Sequence, residues 1–66
     1  MERRVLGQLY RLEPLGMEQL IDRTEGHPFL VEECCMRLFR DGLVTTDSPG
    51  VYRLTAEGHR RYRDVE

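Results

Sequence analysis

Cys34 and Cys35 are the most reactive residue types in this 66-residue chain, and their adjacency limits what they can do. Neighbouring positions on a helix point about 100° apart, so a bridge between the two would need strained local geometry. They read as free thiols, at least one of them buried. A redox sensor would need a stabilised thiolate, whereas Glu32, Glu33 and a mid-helix position raise a thiol pKa, so inert packing is the better account. A metal needs three or four converging ligands, and His27 and His59 stand at no zinc-like spacing from the cysteines. His27 reads as a helix cap and His59 as a surface residue near arginines. No serine or cysteine has a base and an orienting acid beside it. No catalytic residue, metal or cofactor is therefore expected, and the chain does not read as an enzyme.

The remaining chemistry is charge. All ten basic residues are arginine and none is lysine, which fits a GC-rich genome and also the bidentate grip of arginine on phosphate. A net charge of −2 gives no overall basic field, so a nucleic-acid binder of this composition must gather its cations on one face. Candidates are Arg53, Arg60, Arg61 and Arg63, interleaved with Tyr52, His59 and Tyr62, and further upstream Arg37 and Arg40. Glu57, Asp64 and Glu66 offset the first group, so a merely solvated face stands as the alternative.

Helices and one hairpin must position these residues. Val5, Leu9 and Leu12 recur at i, i+4, i+7 and predict a helix over Glu2 to Glu13, with Leu6 and Tyr10 at the flank. Pro14 and Gly16 break it, making Glu13 to Gly16 a short turn. Met17, Leu20, Ile21 and Thr24 share the inner face of a second helix, which Gly26 stops in the manner of a left-handed cap. Pro28 favours a first helical position and opens a third helix to about Asp41, with Val31, Cys35 and Leu38 inward and Cys34 beside them. Gly42 ends it and Leu43 returns to the core. Leu43–Thr46 and Val51–Leu54 flank Asp47-Ser48-Pro49-Gly50, a cluster of turn formers, and read as a β-hairpin. Thr55 caps a last helix from Ala56 to Glu66, anchored by Tyr62 and Val65, either loosely packed or supporting a dimer. A chain this short forms one domain, here residues 1–66, and buries only about 60% of its unfolded surface. It carries no apolar run near the roughly 18 residues of a membrane span and no signal-like N-terminus, so a cytoplasmic protein is expected.

Two stretches carry a family resemblance. Leu38-Phe39-Arg40-Asp41-Gly42-Leu43-Val44 looks like the end of a recognition helix turning into a wing, and Tyr52-Arg53-Leu54-Thr55-Ala56-Glu57-Gly58-His59-Arg60-Arg61-Tyr62 is similar to a "Y-x-L-T-x-x-G" passage from wing strand to last helix. With the element order, the chain resembles the winged-helix (helix-turn-helix) transcriptional regulators of bacteria and archaea over nearly its whole length. The implied fold is mainly α with a small β-hairpin, in the order helix, helix, helix, hairpin, helix. The resemblance implies that Met17 to Gly42 is the helix-turn-helix, its second helix lying in the major groove of double-stranded DNA and its wing touching the backbone. A shorter resemblance, Thr24 to Glu33, is to a lid-helix segment of signal-transduction ATPases, but it brings no phosphate-binding loop.

Two functions follow. The first is a homodimeric DNA-binding regulator, with Arg37 and Arg40 on the recognition helix, Arg53, Arg60 and Arg61 on the wing and last helix, and pairing through helix one or the last helix. The second is a protein-interaction module without base readout. It draws on the start of the recognition helix, where Phe29, Leu30, Glu32 and Glu33 stand in place of basic residues. At 100° per residue Phe29, Glu33, Met36 and Arg40 lie opposite Val31. Phe29 and Met36 are then core under another helix, an interface, or partners of thymine methyls.

Overall fold

The computed structural model describes residues 1–65; Glu66 and the side chain of Val65, the expected second anchor of the last helix, lie outside the described residues. Four helices, α1 (Glu2–Leu12), α2 (Met17–Thr24), α3 (Pro28–Arg40) and α4 (Ala56–Val65), surround a three-stranded antiparallel sheet. Its strands are β1 (Leu15–Gly16), β2 (Val44–Ser48) and β3 (Val51–Leu54), in the order β1-β3-β2. The order helix, helix, helix, hairpin, helix is the expected one, and the winged-helix fold is present.

Strand β1 is the addition, lying where a turn was expected. Leu15 pairs with Tyr52 and Gly16 with Val51. Two residues carry no alternation to read; they are a strand because the free edge of β3 receives their backbone groups. The same excursion alters the inner face of α1. Val5, Leu6 and Leu9 are buried, but Leu12 is 43% exposed, because the chain leaves the helix there and Leu15 enters the core instead.

Leu20 and Thr24 are the buried residues of α2, with Met17 and Ile21 at the core edge. The Thr24 hydroxyl donates to the Leu20 carbonyl at 2.7 Å, which satisfies it in place. The left-handed residue that ends α2 is Glu25, at φ 55°, and not Gly26 as expected. Gly26 fills a tight space instead: a Cβ there would press on the side chains of Met1 and Val31, which would have to shift.

Helix α3 begins as its sequence dictates, with Pro28 in the first turn and His27 Nδ1 accepting from the Phe29 amide at 3.2 Å. It buries Val31, Cys34, Cys35 and Leu38. At its end Gly42 takes φ 78°, Gly42 N–H donates to Phe39 O at 3.1 Å and Leu43 N–H to Leu38 O at 2.9 Å. That pair of bonds is the Schellman closure, with its usual apolar contact between Leu43 and Leu38, both buried.

The hairpin runs further into its turn than expected. Val44 faces Leu54, Thr45 faces Arg53 and Thr46 faces Tyr52, and the register then slips so that Ser48 faces Val51. Asp47 is the extra residue, a β-bulge at the wing tip. Thr55 N–H donates to Leu43 O at 3.0 Å, and Thr55 Oγ1 accepts from Gly58 N–H at 3.0 Å as the α4 cap. Helix α4 is closely seated, not loose: Tyr62 is buried against Tyr10 and Gly7, and a Cβ on Gly58 would run into the Leu43 carbonyl. Gly58→Ala is therefore expected to lower the unfolding free energy by roughly 1–3 kcal/mol through overpacking, although alanine is the better helix former. Urea unfolding reads the change, and undiminished stability would mean that the α4–wing contact is not the close one described.

Candidate nucleic-acid interface

The outward face of α3 is solvent-exposed and of mixed chemistry. Phe29 is 63% and Met36 70% exposed, so the reading of these two as core under another helix does not hold; among the described residues no element covers them. Leu30 and Phe39 are exposed as well. Phe29, Glu32, Glu33, Met36, Arg37 and Arg40 line one groove on this face. It adjoins an apolar notch between α3 and the wing, lined by Met36, Phe39, Thr46 and Tyr52. The helical spacing that puts Val31, Cys35 and Leu38 inside also puts this stripe outside.

The arginines expected to meet phosphate divide into two groups, with Arg63 of α4, exposed and in no salt bridge among the described residues, falling beside those of α3. Arg53 is on the wing, where its Nε donates to both Asp47 carboxylate oxygens, at 3.0 and 2.9 Å. The bulge at Asp47 brings that carboxylate within reach, a pairing the strand pattern gave no sign of. On α4, Arg60 pairs with Glu57 one turn earlier, and Arg61 reaches Glu2 of α1 at 3.5 Å. Arg37 and Arg40 lie in no salt bridge among the described residues. They are exposed on the C-terminal half of α3. All three wing and α4 pairs are exposed, the kind of ion pair worth about 0–1 kcal/mol, so a phosphate can replace the carboxylate at small cost.

Two arrangements were not visible in the sequence. Arg3, Arg4 and Arg11 of α1 and Arg23 of α2 line a second groove, with Tyr62 of α4 in its wall. Arg4 Nη1 donates to the Thr24 carbonyl at 3.3 Å, placing a cation at the negative end of α2. The spacing of Arg3, Arg4 and Arg11 was the available signal, but Arg23 joins them only through the packing of α1 on α2. The other arrangement centres on Glu13. Its Oε1 accepts from Leu54 N–H at 2.8 Å and its Oε2 meets His59 Nε2 at 2.6 Å. His59 also lies 5.4 Å from the Tyr10 ring, so it joins α4 to α1 and is not the plain surface residue expected.

No family model and no curated protein matches the sequence. Among solved structures, the chain is similar to ligand-free NadR, with 23% identity and a TM-score of 0.86 over 97% of this chain and 48% of that one. It is also similar to the PcaV transcriptional regulator from Streptomyces coelicolor, solved with its natural ligand, with 29% identity and a TM-score of 0.86 over 94% of this chain and 48% of that one. The chain thus spans about half the length of the structures it matches. Among the described residues no helix is long and apolar enough to cross a membrane, and no group of three or more His, Cys, Asp or Glu side chains could hold a metal ion.

Both thiols under the α3 face are buried and free. Burial pushes Cys35 up from 9.0 to about 12, with Cys34 and Glu32 adding to the shift. Cys34 is also raised, chiefly by burial, against the opposing pull of Arg37. The direction is the expected one, but burial and not the neighbouring glutamates is its main cause. The folded chain keeps the Cys35 proton where the unfolded chain loses it, so stability is intact below pH 9 and falls as the pH rises from there towards about 12. Iodoacetamide at pH 8 is expected to leave the native chain unmodified and to alkylate both cysteines once urea unfolds it. The decline in stability above pH 9 should be shallower in Cys35→Ala; rapid alkylation of the native chain would contradict the inert packing.

Proposed function

We propose that this chain is the DNA-binding winged-helix module of a cytoplasmic transcriptional regulator, with α3 offered to the major groove of double-stranded DNA and the β2–β3 wing laid along the backbone. The observation that carries the reading is the likeness of 94% of the chain to PcaV, a protein named as a transcriptional regulator. Helix α3 then meets base edges with its first turns. Phe29 and Leu30 suit thymine methyls, and Glu32 or Glu33 can accept from cytosine N4. Arg37 and Arg40 on α3, Arg53 on the wing and Arg60 and Arg61 on α4 supply the phosphate contacts. With two arginines on α3 in no salt bridge among the described residues, two copies joined through α1 or α4 double a small contact area.

A second reading has its own support. Two exposed aromatic rings and a methionine on α3, beside Glu32 and Glu33, form the kind of surface that binds protein. In that case the chain is an interaction module with no direct base readout.

Fluorescence titration with random duplex DNA at low and moderate salt separates the two. A DNA binder is expected to lose affinity steeply with salt, and Arg37→Ala with Arg40→Ala to lower the salt slope by roughly two. Absence of binding at low salt would reject the regulator reading. For an interaction module, Phe29→Ala with Met36→Ala should abolish association with the protein partner while leaving the circular dichroism of the fold unchanged.

A further inference from the structure

We propose that the outward face of α3 docks on the same face of a second copy of this chain, antiparallel across a two-fold axis, and that this pairing competes with DNA for α3. The competition rests on the DNA reading above; the pairing does not.

The distribution of charge along one stripe carries the argument. Phe29, Glu33, Met36 and Arg40 follow one another at spacings of four, three and four residues, and all four are exposed. Acid stands on the N-terminal half of the face and base on the C-terminal half, with Met36 between them. Neither Glu33 nor Arg40 is in a salt bridge among the described residues. Glu33 and Arg40 are two turns apart, roughly 10.5 Å along the axis.

A two-fold contact brings residue i against residue j and j against i. When two such faces meet antiparallel about a point between Met36 and Arg37, Glu33 lies across from Arg40 of the other copy, and Arg40 across from its Glu33. Two reciprocal ion pairs then flank the axis, where the two Met36 side chains meet staggered by about one residue, with Arg37 at the side of the stripe. A parallel pairing in register would set Glu33 against Glu33 and Arg40 against Arg40, so the charge pattern selects the antiparallel form. The antiparallel form also sets the two helix dipoles in opposition. The notch beside Met36, between Phe39, Thr46 and Tyr52, continues the apolar part of the face onto the wing.

One helix face is a small contact, at the low end of interfaces below roughly 1,200 Å². The pairing is accordingly weak and reversible, which is what a competitor of DNA must be. It covers Arg40 and the first turns of α3, the residues the DNA reading assigns to phosphate and base contact.

The test is sedimentation equilibrium over a concentration series, with circular dichroism to confirm folding. The native chain is expected to pair reversibly. Glu33→Arg and Arg40→Glu should each weaken pairing roughly tenfold or more, because each sets like charges opposite one another twice. The double variant Glu33→Arg/Arg40→Glu should pair again, which a variant damaged in its fold would not do. A dimer joined through α1 or α4 is insensitive to these substitutions, so the charge-dependent step is the one read: a native chain that associates no further than the single variants, or a double variant as weak as the singles, would each overturn the pairing. On duplex DNA at low salt, Glu33→Arg should bind more tightly than the native chain, having lost both the competing contact and a carboxylate. If the charge-swap pattern holds but no form binds DNA, the pairing stands, and the DNA reading falls together with the competition.

Discussion

The peptide of Leu43 is the joint on which this small fold turns. Its N–H closes α3 by bonding to Leu38 O, its carbonyl receives the Thr55 N–H, and Gly58 lies against that same carbonyl. One residue thereby fixes the end of α3, the base of the wing and the start of α4. Thr55 strengthens the joint, since its hydroxyl donates to Gly42 O at 2.6 Å and accepts from Gly58 N–H. The glycines at its two sides have different reasons: Gly42 adopts a backbone conformation that side chains resist, and Gly58 leaves room for a carbonyl. The passage from Leu38 to Gly58 is therefore a set of mutually dependent backbone contacts, which explains why its residues resemble a family pattern.

Glu13 makes a second clamp on the opposite edge of β3. A carboxylate that accepts a backbone N–H with one oxygen and meets a histidine with the other uses both of its oxygens on parts of the chain 41 and 46 residues away. Together the Leu43 joint and the Glu13 clamp hold the wing from both sides. The α3 face and the wing thus form one surface of fixed geometry, and what binds there meets a preformed shape and not a hairpin that must first be ordered.

The charge economy of that surface differs from its composition. Three of the arginines that could touch a phosphate already hold a carboxylate, and among the described residues the two on α3 and Arg63 do not. Salt bridges at exposed sites are weak enough to exchange, so the net charge of the chain understates the cations it can present. The aromatic and methionine side chains between Arg37, Arg40 and the N-terminus of α3 give the same face an apolar character.

The sequence alone determined the helices, the hairpin and the inner stripe of α3, because each is a local matter of period, cap and turn residue. His27 as cap, Gly42 as terminator, Thr55 as N-cap and Tyr62 as anchor were legible for the same reason. The outward position of Phe29 and Met36 followed from the helical repeat, but whether another element covered them did not. Only the tertiary structure decided that, along with β1, the exposure of Leu12, the pairing of Arg53 with Asp47, the gathering of Arg23 with the arginines of α1, and the place of His59 on Glu13. Each of these depends on which segments far apart in the chain come to lie side by side. Gly26 shows the difference at a single residue: the sequence marks a helix end, while the structure assigns the left-handed turn to Glu25 and gives the glycine to the space between Met1 and Val31.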